Sequence, residues 1–208
     1  MHLTIRKYAG KGAIIDRLAP PVRDGLVPLL KRAPGFKGYC AFASEDGHVV
    51  SVSVFDDREA AARANEQVRG WVVSNLGELL PNLPEVLAGE CKVHETAAPR
   101  QQGQGASQTA MHCVFRVTEG APPPSQVLPG IKEHLLPALR RQPGFRGLYG
   151  ARSDADASRL LQVSLWDTAE AAEEGLRTMA EINATRLGGA FPEPTTVLSG
   201  RTVVAATA

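Results

Sequence analysis

The 208-residue sequence predicts an α+β fold made of two tandem β-α-β-β-α-β copies packed sheet against sheet within one chain. Three internal matches carry that expectation. "PGFKG" at Pro34–Gly38 returns as "PGFRG" at Pro143–Gly147, a shift of 109. "VSVSVFDDREAAA" from Val50 falls over "LQVSLWDTAEAAE" from Leu161, and "VLAGE" from Val86 over "VLSGR" from Val197, both with a shift of 111. "MHLTIRKY" at Met1 lies over "MHCVFRVT" at Met111, pairing His2 with His112 and Arg6 with Arg116. A longer second hairpin, "SDADASR" against "SEDGH", accounts for the two-residue drift in the shift. Self-similarity in constant order along a chain is the signature of duplication. Residues 1–96 are therefore read as the first repeat and 109–208 as the second. The small polar stretch "AAPRQQGQGASQ" at 97–108 is read as a linker.

Each element follows from local chemistry. "HLTIRKY" alternates and carries β-branched residues, as a half-buried strand does. "PPVRDGLVPLLKRA" spaces Val22, Leu26, Leu29 and Leu30 on one face and ends in basic residues, which favour a helix C-terminus. Its two leading prolines suit a first helical turn. Pro34-Gly35 ends that helix, since proline cannot continue the ladder and glycine allows the reversal. "GYCAFASEDGHVVSVSVFD" reads as a hairpin turning at Asp46-Gly47. Asp56 or Asp57 then caps a second helix running to about Leu79, and "EVLAGECKVHE" closes the unit as a strand. Such a unit closes as a ferredoxin-like sandwich with two helices on one sheet face. The bare face of each copy is expected to cover that of the other.

Alternation along the strands suggests candidate site residues. Uniformly aliphatic positions (Leu3, Ile5, Val50, Val52, Val54, Cys113, Phe115, Leu161, Val163, Leu165) are expected beneath the helices. The mixed set then faces the other sheet and includes His2, Arg6, Phe55, His112, Arg116 and Trp166. That space reads either as an anion- or carbonyl-binding interior or as a structural polar network. On the second helix the inward stripe is Ala61, Asn65, Val68, Trp71 and Leu76, against the wholly apolar Ala172, Leu176, Met179, Ile182 and Leu187. Asn65 and Trp71 break the pattern. An amide beside an indole can orient a flat, oxygen-bearing ligand, and Tyr39 and Tyr149 flank the expected cleft mouth. The alternative is a stripe-edge amide and a bulky core indole. Asn75 and Asn183 are weaker versions of the same argument.

Other classes have little support. Net charge is +1 without a run of like charges, which argues against a phosphate-neutralising face. No apolar run reaches the ~20 residues of a membrane span, and "MHLTIRKYAGKG" has no secretory h-region. Cys40, Cys91 and Cys113 lack metal or disulfide-framework spacing and read as thiols of a reducing cytoplasm. "GKGAIID" lacks the GK[ST] ending of a phosphate loop. Nothing in the sequence demands a metal, flavin or nucleotide, and no cofactor is expected.

The succession of a first strand, a helix ending in "PGF.G", a hairpin, and "VFDD.EAA" or "LWDTAEAA" before a helix resembles the antibiotic biosynthesis monooxygenase-like family. That family lies in the dimeric α+β-barrel superfamily, and the resemblance covers both copies. It implies an intrachain pseudo-dimer and cofactor-independent oxygenation of a flat phenolic or quinol-type small molecule, with pockets between sheet and helices. Asn65, Trp71 and Tyr39 become the candidate catalytic residues, and further pairing into a homodimer of pseudo-dimers is implied as an option. The haem-degrading branch expects an asparagine on the first strand and a histidine late in the second helix. Here "HLTIRKY" and "GWVVSNLGE" supply neither. A non-catalytic binding or assembly protein of the same fold is the competing expectation.

Overall fold

The computed structural model describes residues 1–97 and 110–208, so most of the expected linker lies outside the described residues. The chain is α+β. Its order begins β1 (His2–Tyr8), a 3-10 turn (Gly12–Ile14), α1 (Ile15–Pro21), a π-helical turn (Val22–Leu26), α2 (Val27–Arg32), β2 (Phe36–Ala43) and β3 (Val49–Phe55). There follow α3 (Arg58–Leu76), β4 (Glu85–Thr96), β5 (His112–Thr118), α4 (Pro124–Gly130), a second π-helical turn (Ile131–Leu135) and α5 (Leu136–Arg141). The chain ends with β6 (Phe145–Ser153), β7 (Leu160–Trp166), α6 (Ala169–Arg186) and β8 (Thr196–Thr207).

Two compact units divide the chain. Unit 1 comprises Met1–Glu90 with Ser199–Ala208, and unit 2 comprises Cys91–Leu198. In unit 1 the antiparallel order is β4-β1-β3-β2-β8, with His2 opposite Phe55 and Tyr39 opposite both Ser53 and Ala206. In unit 2, β7 lies between β5 and β6, with His112 and Phe145 both opposite Trp166.

The repeated PGF motif has a clear local job. Gly35 and Gly144 adopt φ of +78° and +80°, which glycine enters freely and other residues do not. Their carbonyls each accept a 2.8 Å bond, from the amides of Asp56 and Asp167, tying the helix end to the end of the following hairpin. A Cβ would meet that of Ala60 at 3.1 Å or that of Ala171 at 2.8 Å. The phenylalanine that follows packs edge-on to an aromatic: Phe36 on Phe55 at 5.8 Å, Phe145 on Trp166 at 5.3 Å. The second helices are capped as their sequences require, Asp57 Oδ1 accepting from Ala60 N at 2.8 Å and Thr168 Oγ1 from Ala171 N at 3.2 Å.

The first helix departs from expectation in two ways. It starts at Ile15, so Pro20 and Pro21 lie inside it rather than in its opening turn. It also widens into a π turn ending just before Pro28, as its counterpart does before Pro137. Proline lacks an N–H and its ring crowds the carbonyl four residues back. Val27 and Leu136, each preceding the proline, instead bond five residues back, to Val22 and Ile131.

The strand faces are the reverse of those expected. Thr4 and Arg6 hydrogen-bond to Asn65 of α3, and Tyr8, Tyr39 and Phe55 belong to the core that the helices cover. In unit 2, Arg116 reaches Met179 of α6, and Val114, Leu148 and Trp166 lie in the core beneath the helices. The aliphatic set Leu3, Ile5, Val50, Val52 and Val54 points the other way, yet is no more than 4% exposed. Assigning aliphatic residues to the helix side discriminates only when the other face is wet. Here both faces are buried, so the rule had nothing to separate.

Candidate functional site

Unit 1 gathers polar groups between its sheet and α3. Arg6, 6% exposed on β1, donates to Ser53 Oγ at 3.2 Å and to Asn65 Oδ1, while Asn65 Nδ2 reaches Thr4 Oγ1 at 3.5 Å. Burial lowers the Arg6 pKa, and the nearby hydroxyls of Tyr39 and Tyr8 oppose that shift. Burial likewise pushes the Tyr39 phenol upward, against Arg6 and a hydrogen bond with Ser51. Arg6, Tyr8, Tyr39 and Ser51 line a space of only about 30 Å³. That is room for a water or two and no ligand ring, since about 150 Å³ holds a benzene.

The expected partners Asn65 and Trp71 do not share this space. The Trp71 indole packs over Gly25, where a Cβ would meet Cζ2 at 2.6 Å, and borders an open outer groove with Leu29, Arg32 and Asn75. Asn75 Nδ2 is spent on the Trp71 carbonyl at 2.8 Å. Phe55, 1% exposed, is core, as is Trp166 at 0%. His2 is buried on β1, and His112 is half-buried on β5 beside Trp166 in register.

Unit 2 is built differently at the same place. Its helix–sheet cavity measures about 120 Å³, close to the size that accepts one aromatic ring. The walls are mostly apolar, with Val127, Ile131, Leu148, Leu187 and Phe191 among them. Arg116 supplies the principal charge. Its Nη2 donates to Gln162 Oε1 at 2.5 Å and lies 3.4 Å from Met179 Sδ. Burial lowers the Arg116 pKa, and Glu193, also on the cavity wall, pulls it back up.

Two devices hold the rim. Asn183 clamps the segment after α6, its Nδ2 donating to Phe191 O at 2.9 Å and its Oδ1 accepting from Phe191 N at 3.1 Å. Arg152 donates to the carbonyls of Ala121, at 3.1 Å, and Pro122, fastening the entrance to α4. Sequence reasoning passed over Gln162, Met179 and Glu193. The available signal was a pair of differences at matching cavity positions of the two units: Leu148 stands where Tyr39 does, both opposite the middle serine of the hairpin (Ser53, Ser164), and Thr118 where Tyr8 does. Two phenol side chains fill the first space, and their replacements leave the second open.

With that geometry established, comparison with known proteins gives relatives by shape. No family model matches, and no curated protein matches by sequence. A protein of Fusobacterium nucleatum subsp. nucleatum named a putative monooxygenase superposes with a TM-score of 0.73 at 9% identity, covering 99% of this chain and 94% of that one. One of the same name from Lactobacillus acidophilus gives 0.70 at 12%, covering 99% and 95%. An anthrone oxidase-like protein gives 0.57 at 14%, covering 99% and 93%. These likenesses establish the fold. Among the described residues no helix is long and apolar enough to cross a membrane.

Proposed function

We propose that this chain is a cofactor-independent monooxygenase that binds a flat phenolic or quinol-type molecule in the helix–sheet cavity of unit 2. The observation carrying this reading is a half-buried guanidinium, Arg116, held against Gln162 at a mostly apolar cavity of ring size that Lys92, Arg152 and Glu193 also line. A fixed cation in a water-poor site stabilises an oxyanion far better than bulk water does. Holding the substrate as its phenolate or enolate makes a ring carbon electron-rich enough to react with dioxygen. Overall, a ring methylene becomes a carbonyl: one oxygen atom of dioxygen stays on the carbon, and the other leaves as water with the two methylene hydrogens. The change balances without an external reductant.

The names of the fold relatives, monooxygenases and an anthrone oxidase-like protein, support the same class. In this reading Asn65 and Tyr39 complete a filled counterpart site in unit 1, and Trp71 walls the outer groove. The halves are read as tandem ferredoxin-like repeats on the strength of the sequence repetition, a cytoplasmic setting is read from the cysteine usage, and pairing into a homodimer is an option that the family resemblance implies. The test is oxygen uptake with a panel of anthrones and quinols. Wild type should consume oxygen, and Arg116→Met should lose about 10²–10³-fold, the usual loss for one oxyanion donor. Binding without uptake by any member would leave a small-molecule-binding protein of this fold instead.

A further inference from the structure

The two units place an arginine at the same strand position and satisfy it differently. Arg6 meets true oxygen acceptors, the Asn65 carbonyl and the Ser53 hydroxyl, with the Tyr39 and Tyr8 phenols lining the same space. Asn65 corresponds to Leu176 and Ser51 to Gln162. Among the described residues, Arg116 donates to Gln162 Oε1 and Met179 Sδ, with Glu193 acting on it from the cavity wall. Two donors converge on Met179 Sδ, Arg116 Nη2 at 3.4 Å and Gln162 Nε2 at 3.3 Å. A thioether is a weak acceptor, and a methionine side chain is unbranched and readily displaced. Strong donors aimed at a weak, movable acceptor mark where an oxygen belongs.

We infer that the ligand of unit 2 is an ionised single-ring phenol or a molecule presenting one: its oxygen displaces Met179 Sδ to accept from Arg116 and Gln162, and its ring occupies the room that the Tyr39 side chain fills in unit 1. Unit 1 is then a self-filled copy in which the chain's own phenols stand where the ligand stands in unit 2. Leu148 and Thr118, replacing Tyr39 and Tyr8, are the residues that create the room. This inference rests on the reading of the unit 2 cavity as the ligand site and extends it to ring number, oxygen contacts and pose.

The test is calorimetric binding of 4-nitrophenolate and of nitrobenzene, which keeps the ring and lacks the phenol oxygen. A hydrogen bond to a charged group implies at least about a tenfold preference for 4-nitrophenolate. Arg116→Met should equalise the two ligands. Leu148→Tyr should abolish binding of both while the melting temperature stays at or above that of wild type. Met179→Leu keeps the volume but removes the competing sulfur, so 4-nitrophenolate should bind several-fold tighter and nitrobenzene unchanged. Equal affinity of wild type for the two ligands, or full binding by Leu148→Tyr, overturns the inference. So does weaker phenolate binding by Met179→Leu. Because the readout is binding, its failure is separable from that of the oxygenase reading. Phenolate preference without oxygen uptake removes only the latter, and uptake without the preference removes only this one.

Discussion

Replacing Asn65 with Leu tests whether Asn65 serves a buried cation or a substrate. Leu stands at the matching position of α6, Leu176, and has helix propensity at least equal to that of Asn. In unit 1, however, Asn65 Oδ1 is one of two side-chain acceptors bonded to Arg6, whose residue is 6% exposed. Removing one partner of a buried charged hydrogen bond costs about 1.5–3 kcal/mol, because the survivor keeps its desolvation penalty. For a chain of this size each kcal/mol shifts the melting temperature by about 2–4 °C, so Asn65→Leu should melt roughly 3–12 °C lower.

The sharper arm is the double variant Arg6→Met/Asn65→Leu. Replacing both partners by apolar groups of similar shape can be nearly neutral. The double variant should therefore recover most of the loss, giving a coupling energy of about 1 kcal/mol or more in a double-mutant cycle. Urea and thermal unfolding followed by circular dichroism measure all four proteins. A single variant as stable as wild type would refute the argument. So would a double variant that loses the sum of the two single losses.

Two further predictions concern packing and pH. Gly175→Ala puts a Cβ within 2.0 Å of the Trp166 ring, which is fully buried and cannot yield, so overpacking should cost about 1–3 kcal/mol despite the better helix propensity of alanine. Gly25→Ala meets Trp71 at 2.6 Å, but that indole borders an open groove and can move, so the loss should be clearly smaller in the same urea titration. Burial holds the Tyr39 phenol protonated above its ordinary 10.0. Above about pH 10 the unfolded chain therefore releases this proton first, and stability falls as pH rises, by at most about 1.4 kcal/mol per pH unit for one group. Tyr39→Phe should flatten the fall in urea midpoint between about pH 9 and 11, and an unchanged slope would show that another group governs alkaline unfolding.

How far the sequence could be read depended on what each residue's neighbours were. The PGF motif, the capping aspartate and the hairpins were legible because each works within a few residues: Gly35 needs its positive φ whatever surrounds it. Arg6 was legible as a paired, non-surface position, and its face was not. Alternation says that Arg6 and Ile5 point in opposite directions, but only the packing says which direction is covered by α3. The cavity was the least legible feature. Its existence follows from missing volume, Leu148 for Tyr39 and Thr118 for Tyr8, and missing volume leaves no motif. That Asn65 and Trp71 do not face one space was hidden for a similar reason. Both break the same helical stripe, yet Trp71 lies six residues on and turns outward over Gly25.

The difference between the two units has a physical logic. A guanidinium beneath a helix, buried as Arg6 is or half-buried as Arg116 is, needs acceptors in proportion to the water it loses, because an unsatisfied buried charge is severely destabilising. In unit 1 the chain supplies those acceptors itself and fills the remaining volume with two phenols, leaving about 30 Å³. In unit 2 the acceptors among the described residues are one amide oxygen and a sulfur, and the cavity measures about 120 Å³. Had unit 2 merely lost a function, selection for stability would favour filling that space or exchanging Arg116 for an apolar residue. On the proposal made above, a molecule from outside completes the site, and its binding free energy would add to the stability of the folded chain.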